Sequence, residues 1–290
     1  MRGLLGKTGR LFLTYGLLAA FFLTAGCACR LNMDAKETRS PEKAAWQDSP
    51  NLAGLFYSLR AQFGLEGTFV LYDRGENMLI GYNRARANTR YQPASTFKIL
   101  NALIAFETGV VKDQNEILPY DGSPRPVKAW EKDMSITEAM AVSNVPLFQG
   151  IARGIGLTRM QKYVSKVGYG NAEIGAKVDD FWLKGPLGVS ALEQIRFLDE
   201  LTRGELPFST RSVELLREIM PREEGRQPSL IFYKTGRTTN TQPGIGWVVG
   251  WVRMYGRDYP FALNLDINKD ENAELRMIML RQALQELGMY

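Results

Sequence analysis

Apolar residues recur along this chain with two different periods, and the two periods separate helices from strands. Spacings of three and four residues, typical of amphipathic helices, extend over 51–63, 158–167, 190–202, 210–220 and 274–287. Runs rich in β-branched and aromatic residues, typical of strands, extend over 67–73, 78–82, 230–233, 246–254 and 259–267. Glycine and proline concentrate in 109–128 and 168–188, which we predict to be loops.

The predicted strands lie at the two ends of the chain and helices fill the middle. With 290 residues, 45% of them hydrophobic, the chain is long enough for one large core or two subdomains that share a cleft. We predict an α+β fold over 51–290, in which both ends build one antiparallel sheet flanked by helices. The middle, at about 90–225, would be an inserted all-helical lobe. A cleft between sheet and lobe is a usual place for a ligand.

One segment, from Ser95 to Phe106, has no glycine or proline and has apolar residues on every side, which predicts a buried central helix. Ser95 and Lys98 are three residues apart, so they share one face of this helix. Burial disfavours the charged form of a lysine, and a neutral amine can activate a neighbouring hydroxyl as a nucleophile. The alternative is a serine that caps the helix and a lysine whose amine reaches solvent.

The amino terminus resembles an export signal. Residues 1–10 are basic, 11–26 are apolar, and the small residues Ala25-Gly26 precede Cys27. The segment 23–27 is similar to the lipobox of bacterial lipoproteins, in which the cysteine is acylated. An ordinary signal peptide cut nearby, or an uncleaved anchor, is the alternative. We expect an exported, periplasmic protein with a signal at 1–26, a polar tether at 27–50 and membrane contact only through a lipid on Cys27.

Charge and residue counts exclude several classes of function. Three of the five net positive charges lie in the signal, and the rest of the chain has no long basic block, so we expect no nucleic-acid partner. The chain has no histidine, and its only cysteines are Cys27 and Cys29. These counts exclude Ser-His-Asp and Cys-His catalysis and nearly every catalytic zinc site, so we expect no metal. A hydrolytic base would have to be Lys, Tyr, Asp or Glu.

Three further short motifs accompany Ser95 and Lys98. Ser143-Asn144-Val145 ends a helix at 135–142 that Ser135 and Glu138 would cap. Tyr169-Gly170-Asn171 lies in the glycine-rich loop, and Lys234-Thr235-Gly236 follows the strand 230–233. Ser-x-x-Lys followed by Lys-Thr-Gly is the pairing found in penicillin-recognising enzymes.

The order of these motifs resembles that of the class D (OXA-type) serine β-lactamases. The resemblance covers about 51–290 and includes Phe181-Trp182-Leu183 and the segments 246–251 and 261–264. Penicillin-binding proteins and class A enzymes have Asn where this chain has Val145. The resemblance implies a β-lactamase fold, a small β-lactam substrate and, as the only added group, CO2 or bicarbonate that carboxylates Lys98.

The resemblance also implies catalytic roles. Ser95 would attack the lactam carbonyl and form an acyl-enzyme, and carboxylated Lys98 would be the general base. Val145 would help to keep the Lys98 pocket dry, and Trp182 would hydrogen-bond the carboxylated lysine. Ser143 would relay a proton to the lactam nitrogen.

The remaining implied roles concern substrate binding. Lys234 and Thr235 would face the substrate carboxylate next to Gly236, together with Arg276 rather than Arg281. The backbone N–H groups of Ser95 and Arg237 would form the oxyanion hole. The family often has an aromatic residue where this chain has Arg237, so the substrate wall there would be cationic. We expect Tyr169, Gly170 and Asn171 to be structural.

Two other functions stay open at this point. A β-lactam-binding sensor would stay acylated, and a DD-peptidase of the same fold would act on peptidoglycan peptides, although Val145 argues against it. The sequence also leaves open the range of β-lactams and whether the protein forms a homodimer.

Overall fold

Seven strands form the main sheet of the computed structural model, which describes residues 39–290 except for the side chains of residues 270 and 271. The strands of this sheet are β1 (Ala45–Asp48), β2 (Gly67–Asp73), β3 (Met78–Tyr82), β6 (Arg222–Glu224), β7 (Leu230–Arg237), β8 (Gly244–Met254) and β9 (Arg257–Ile267). Their order is β1-β3-β2-β9-β8-β7-β6. A separate two-stranded sheet consists of β4 (Ile117–Leu118) and β5 (Met134–Ser135).

Ten α-helices surround the main sheet in the described part of the chain. They are α1 (Pro50–Phe63), α2 (Arg84–Ala87), α3 (Lys98–Glu107), α4 (Ile136–Ala141), α5 (Val145–Ile155), α6 (Leu157–Val167), α7 (Phe181–Lys184), α8 (Ala191–Arg203), α9 (Thr210–Ile219) and α10 (Leu275–Glu286). Short 3-10 turns lie at Pro41–Lys43, Ala94–Phe97, Lys128–Trp130 and Asp270–Glu274. None of the helices within 39–290 combines the length and the apolar character that crossing a membrane requires.

The two ends of the chain meet in the sheet, as predicted. Strand β2 pairs antiparallel with β9, so that Val70 lies opposite Ala262. Phe69 and Leu71 pack with α1 and α10 on one face, whereas Val70 and Tyr72 pack with the helical lobe on the other. Because both faces are covered, these strands are apolar without interruption rather than alternating. The α+β class is confirmed.

The predicted tether at 27–50 is wrong for its last part. Residues Ala45–Asp48 form an edge strand that pairs in parallel with β3, with Trp46 opposite Leu79. The sheet is therefore mixed rather than purely antiparallel. The strand is short, and of its side chains only that of Trp46 is half-buried, so its sequence has no alternation long enough to indicate a strand. The predicted signal at 1–26 and Cys27 lie outside the described residues.

The predicted lobe at about 90–225 is mainly helical but not all-helical. It contains the small sheet of β4 and β5, and at its end β6 joins the main sheet by pairing with β7. These strands have only two or three residues, which is too short for a periodic pattern. Helix α5 was not predicted; Pro146 occupies its first turn, where proline costs no hydrogen bond.

Two differences from the predicted boundaries affect the site. Ser95 lies in the 3-10 turn Ala94–Phe97, and the α-helix begins only at Lys98. Strand β7 extends through Lys234, Thr235 and Gly236, so this motif lies within the strand rather than after it. The predicted loop at 168–188 contains the single-turn helix α7, which carries Trp182.

Candidate active site

The nucleophile turn, Ala94–Phe97, presents Ser95 at the start of α3. Ala94 has a φ of 48°, in the left-handed region that costs a residue with a side chain about 1–2 kcal/mol. The Thr96 side chain donates a hydrogen bond to the carbonyl oxygen of Pro93 at 2.7 Å, which closes the turn. Ser95 is 9% exposed, so its hydroxyl is at the edge of the core. A strained, closed turn of this kind fixes the position of a side chain.

Lys98 is fully buried beside Ser95. Its Nζ lies 2.6 Å from Ser95 Oγ and 3.3 Å from Ser143 Oγ. Burial lowers the pKa of Lys98 well below its ordinary value, and the positive charge of Lys234 lowers it further. The alternative of a lysine whose amine reaches solvent is excluded, because Lys98 has no exposed surface. The pair is arranged as a hydroxyl beside an amine whose neutral form is favoured by burial.

Ser143 lies between two lysines. Its Oγ is 3.1 Å from the Nζ of Lys234 and 3.3 Å from the Nζ of Lys98. Ser143 occupies the junction of α4 and α5 with a φ of 54°. The next residue, Asn144, caps α5 by accepting a hydrogen bond from the backbone N–H of Leu147. A hydroxyl in this position can pass a proton between the two amines.

Lys234 and Arg276 form a cationic pair next to Ser143. Burial lowers the pKa of Lys234 to about 7, with a further contribution from Arg276. Arg276 Nη1 donates a hydrogen bond to the carbonyl oxygen of Gly236 at 3.3 Å. Burial also lowers the pKa of Arg276, and the charge of Arg237 contributes in the same direction. Positive groups held together in this way favour a bound anion such as a carboxylate.

Arg281, on the same helix as Arg276, faces elsewhere. Its Nε and Nη2 donate to the two carboxylate oxygens of Glu223 at 3.1 and 2.8 Å. This bidentate pair raises the pKa of Arg281. The geometry therefore distinguishes the two arginines: Arg276 hydrogen-bonds to Gly236 beside Lys234, whereas Arg281 is paired with Glu223 on β6.

Gly236 lets β7 pack against the nucleophile turn. A Cβ atom at this position would lie 3.0 Å from the carbonyl oxygen of Pro93 and 3.2 Å from the backbone nitrogen of Thr96. Both contacts are with backbone, which cannot move aside easily. Thr235 and Arg237, on either side of Gly236, are half-buried at the same end of β7.

Trp182 and Val145 lie on the lobe side of the site. Trp182 is fully buried and stacks on Phe97 of the nucleophile turn, with ring centroids 5.3 Å apart. Its indole Nε1 is buried and has no hydrogen-bond partner among the described residues. Val145 begins α5 and is half-buried. An unpartnered buried donor is costly, which indicates that an acceptor belongs there.

The motif Tyr169-Gly170-Asn171 contacts the nucleophile turn and the segment that follows α7. Tyr169 packs edge-on against Phe97 at 5.8 Å. Asn171 binds the segment that follows α7: its Nδ2 donates to the Pro186 carbonyl at 3.0 Å and its Oδ1 accepts from the Gly188 N–H at 3.1 Å. These contacts connect the motif to Phe97 of the nucleophile turn and to the segment 186–188.

Two residues near the reacting groups were not found from the sequence. The ring of Phe148 lies next to the Lys98 amine, with its centroid 5.5 Å from Nζ. Gln194 is fully buried and donates to Thr96 Oγ1 at 3.0 Å. Gln194 could have been found from the sequence, because it is a polar residue on the apolar face of an amphipathic helix. Phe148 could not, because it lies in the helix that was not predicted.

No group of three or more potential metal ligands of the His, Cys, Asp and Glu types occurs among residues 39–290. The site within this range is built instead from lysine, serine and arginine side chains.

Comparisons with known proteins agree with this geometry. Residues 66–284 match the family model of the penicillin binding protein transpeptidase domain. The chain is 43% identical over 215 residues to β-lactamase OXA-5 of Pseudomonas aeruginosa, covering 73% of this chain and 80% of that protein. It is 37% identical over 241 residues to β-lactamase OXA-48 of Klebsiella pneumoniae, covering 83% and 89%.

Solved structures show the same relationship. The class D β-lactamase YbXI from Nostoc has a TM-score of 0.76 and 40% identity, with 80% of this chain and 97% of that chain covered. The class D β-lactamase FUS-1 (OXA-85) from Fusobacterium nucleatum has a TM-score of 0.77 and 39% identity, with 81% and 98% covered. The fold, the motifs and these relatives together show that the chain belongs to the class D β-lactamases.

Proposed function

We propose that this protein hydrolyses β-lactams through an acyl-enzyme on Ser95, with carboxylated Lys98 as the general base. One observation carries the proposal: a fully buried amine lies 2.6 Å from a serine hydroxyl in a chain that has no histidine. Relatives named as β-lactamases support the substrate class.

The proposed acylation uses Ser95, the base at Lys98 and Ser143, with Lys234 as a further proton donor. Ser95 Oγ loses its proton to the base at Lys98 and forms a bond with the lactam carbonyl carbon. The C–N bond then breaks as the lactam nitrogen takes a proton from Ser143, which lies 3.1 Å from Lys234 and 3.3 Å from Lys98 and can be reprotonated by them. In deacylation, water attacks the ester carbonyl carbon and gives a proton to the base. The bond between that carbon and Ser95 Oγ then breaks, and Oγ takes the proton back from the base.

The surroundings of Lys98 fit a carboxylated amine. Reaction with CO2 requires the neutral form of the amine, which burial favours. The unpartnered Nε1 of Trp182 would donate a hydrogen bond to the added carboxylate. When present, this group supplies carboxylate oxygens that can act as the general base.

The test is turnover of a chromogenic cephalosporin and of a panel of penicillins by the purified protein, with and without bicarbonate. Hydrolysis should increase with added bicarbonate and disappear in Ser95→Ala. The wild type should also gain the mass of an opened lactam during turnover, whereas Ser95→Ala should not. A Ser95→Ala variant with wild-type turnover would refute the proposal.

Two outcomes would point to the other functions. A burst of acylation without turnover would indicate a β-lactam-binding sensor. Hydrolysis of a D-Ala-D-Ala peptide faster than of any lactam would indicate a peptidase.

We propose that Lys234, Thr235 and Arg276 bind the substrate carboxylate. A charged hydrogen bond contributes about 1.5–3 kcal/mol, so Arg276→Ala should lower kcat/KM about 10- to 100-fold, chiefly through KM. Arg281→Ala is the matched control, because it removes a guanidinium from the same helix but breaks only a partly exposed ion pair with Glu223. Its kcat/KM should stay within about twofold of wild type. Equal losses in the two variants would contradict this assignment.

Export and lipid attachment at Cys27 also remain proposals, supported by the signal-like sequence of residues 1–27. The mass of the mature protein isolated from membranes tests them: a chain that retains residues 1–26, or that lacks an acyl mass on Cys27, would refute lipid anchoring.

A further inference from the structure

A small polar cluster lies behind the nucleophile turn, inside an otherwise apolar region. It consists of Thr96, Tyr169 and Gln194, and we refer to it as the Thr96 cluster. All three residues are at most 1% exposed. They come from three separate parts of the chain: the nucleophile turn, the Tyr-Gly-Asn segment and helix α8.

Gln194 connects α8 to the nucleophile turn through one hydrogen bond. Its Nε2 donates to Thr96 Oγ1 at 3.0 Å. Thr96 Oγ1 in turn donates to the carbonyl oxygen of Pro93 at 2.7 Å. These two hydrogen bonds connect helix α8 to Thr96, whose side chain closes the turn. Ser95 lies between the two ends of that closure.

The nucleophile turn needs such support because it contains a strained residue. Ala94, immediately before Ser95, has a φ of 48°. A strained conformation persists only where surrounding contacts hold it. The Gly236 backbone packs closely on the turn, because a Cβ atom there would be 3.0 Å from Pro93 oxygen. Gln194 adds a polar contact with the same turn through Thr96.

Stability alone gives a poor account of Gln194. An amide buried without full hydrogen bonding costs about 1–3 kcal/mol, and Gln194 Oε1 has no partner among the described residues. The Tyr169 hydroxyl is buried nearby and meets no strict hydrogen-bond geometry. It nevertheless lies close enough to the side chains of Thr96 and Gln194 for hydrogen bonding with them to lower its pKa, against the larger rise that burial causes. An apolar side chain at 194 would avoid this cost.

We propose that Gln194 is a positioning residue that, through Thr96, holds the nucleophile turn so that Ser95 Oγ stays within reach of Lys98 Nζ. The proposal rests on the proposed acylation of Ser95. It assigns to a residue on α8, outside the substrate contacts, a specific effect on the acylation step.

The first test is the rate of acylation of Gln194→Leu by a fluorescent penicillin, followed by stopped flow. A displacement of the nucleophile by about 1 Å can lower a rate about 100-fold, so we expect acylation to slow by about 10- to 100-fold. The loss should appear in the acylation rate constant and not in the affinity of the initial complex. Thermal unfolding should change little.

Ser212→Ala is the matched control for loss of a buried hydrogen bond. Ser212 is 1% exposed, and its Oγ donates to Glu107 Oε2 at 2.7 Å at the start of α9. This variant should unfold at a lower temperature and acylate at the wild-type rate. Wild-type acylation by folded Gln194→Leu would overturn the proposal.

Gln194→Glu provides a second test that does not depend on tolerance of leucine. A protonated carboxyl group can donate to Thr96 Oγ1 in place of the amide, whereas a carboxylate cannot. Burial raises the pKa of the new carboxyl group. The ratio of its acylation rate to that of wild type should therefore fall as pH rises through that pKa.

A ratio that is independent of pH would overturn the proposal. If the wild type itself is not acylated, the proposed function fails, and that result is distinct from either outcome for Gln194.

Discussion

Replacing Lys98 with methionine is expected to abolish β-lactam turnover and, at the same time, to stabilise the protein. The amine lies 2.6 Å from Ser95 Oγ and 3.3 Å from Ser143 Oγ, so the substitution removes the group that we propose as the base of both reaction steps. Loss of a general base typically costs about 10²–10⁴ in rate. Turnover of a chromogenic cephalosporin measures this, and a variant with half of the wild-type kcat would contradict the mechanism.

The gain in stability follows from the same burial. The folded-state pKa of Lys98 is lowered, so between that value and the unfolded value the unfolded chain binds one more proton. The free energy of unfolding of the wild type should therefore rise with pH until the unfolded lysine also loses its proton, near pH 10. An apolar side chain of similar length avoids this cost, because methionine fills irregular space.

Denaturant unfolding at pH 7, 8 and 9 in CO2-free buffer measures this effect. The pH slope should be smaller in Lys98→Met, by up to about 1.4 kcal/mol per pH unit. Lys162→Met, at an exposed position of α6, is the control and should leave the slope unchanged. Equal slopes in Lys98→Met and the wild type would show that the buried amine does not titrate as we infer.

Gly170→Ala is expected to destabilise the protein by several kcal/mol. Gly170 has a φ of 57°, and a Cβ atom there would lie 2.1 Å from the carbonyl oxygen of Gly188. The left-handed conformation alone costs about 1–2 kcal/mol, and the forced displacement adds about 1–3 kcal/mol. Because Asn171 binds the segment 186–188, which follows Trp182 on α7, turnover should fall as well.

Gly204→Ala separates the two contributions to this loss. Gly204 has a φ of 69°, but nothing lies within 4 Å of the position of its Cβ atom. It should therefore lose only the conformational part, about 1–2 kcal/mol, and keep wild-type turnover. Thermal and denaturant unfolding of the two variants compare them directly; an equal loss would mean that the contact with Gly188 contributes nothing.

Much of the fold could be predicted because its signals are local. The helices near 158–167 and 210–220 and the strands near 67–73 and 259–267 lie where the apolar periods place them. The cap at Ser135 also forms, because its side chain accepts from the Glu138 N–H. The α+β class and the family followed from the order of these elements and from four short motifs.

The local signals failed where an element is short or is made by distant contacts. The edge strand Ala45–Asp48 exists only because β3 is available to pair with it. The 3-10 turn that carries Ser95 is contacted by Gln194, which is 98 residues from Thr96 along the chain. Helical periodicity in the apolar run continued through this turn and gave no sign of the change.

The sequence by itself determined the chemical inventory: a serine three residues before a lysine, no histidine anywhere, and a second lysine on a strand. It also placed both arginines, Arg276 and Arg281, on one helix. Only the tertiary structure decided which arginine contacts the site. Arg281 pairs with Glu223 on β6, whereas Arg276 donates a hydrogen bond to the carbonyl oxygen of Gly236 on β7. The tertiary structure likewise decided that Lys98 has no contact with solvent. The physical reason is that burial and charge at a side chain depend on what other segments pack around it, and residue spacing along one segment carries no record of those neighbours.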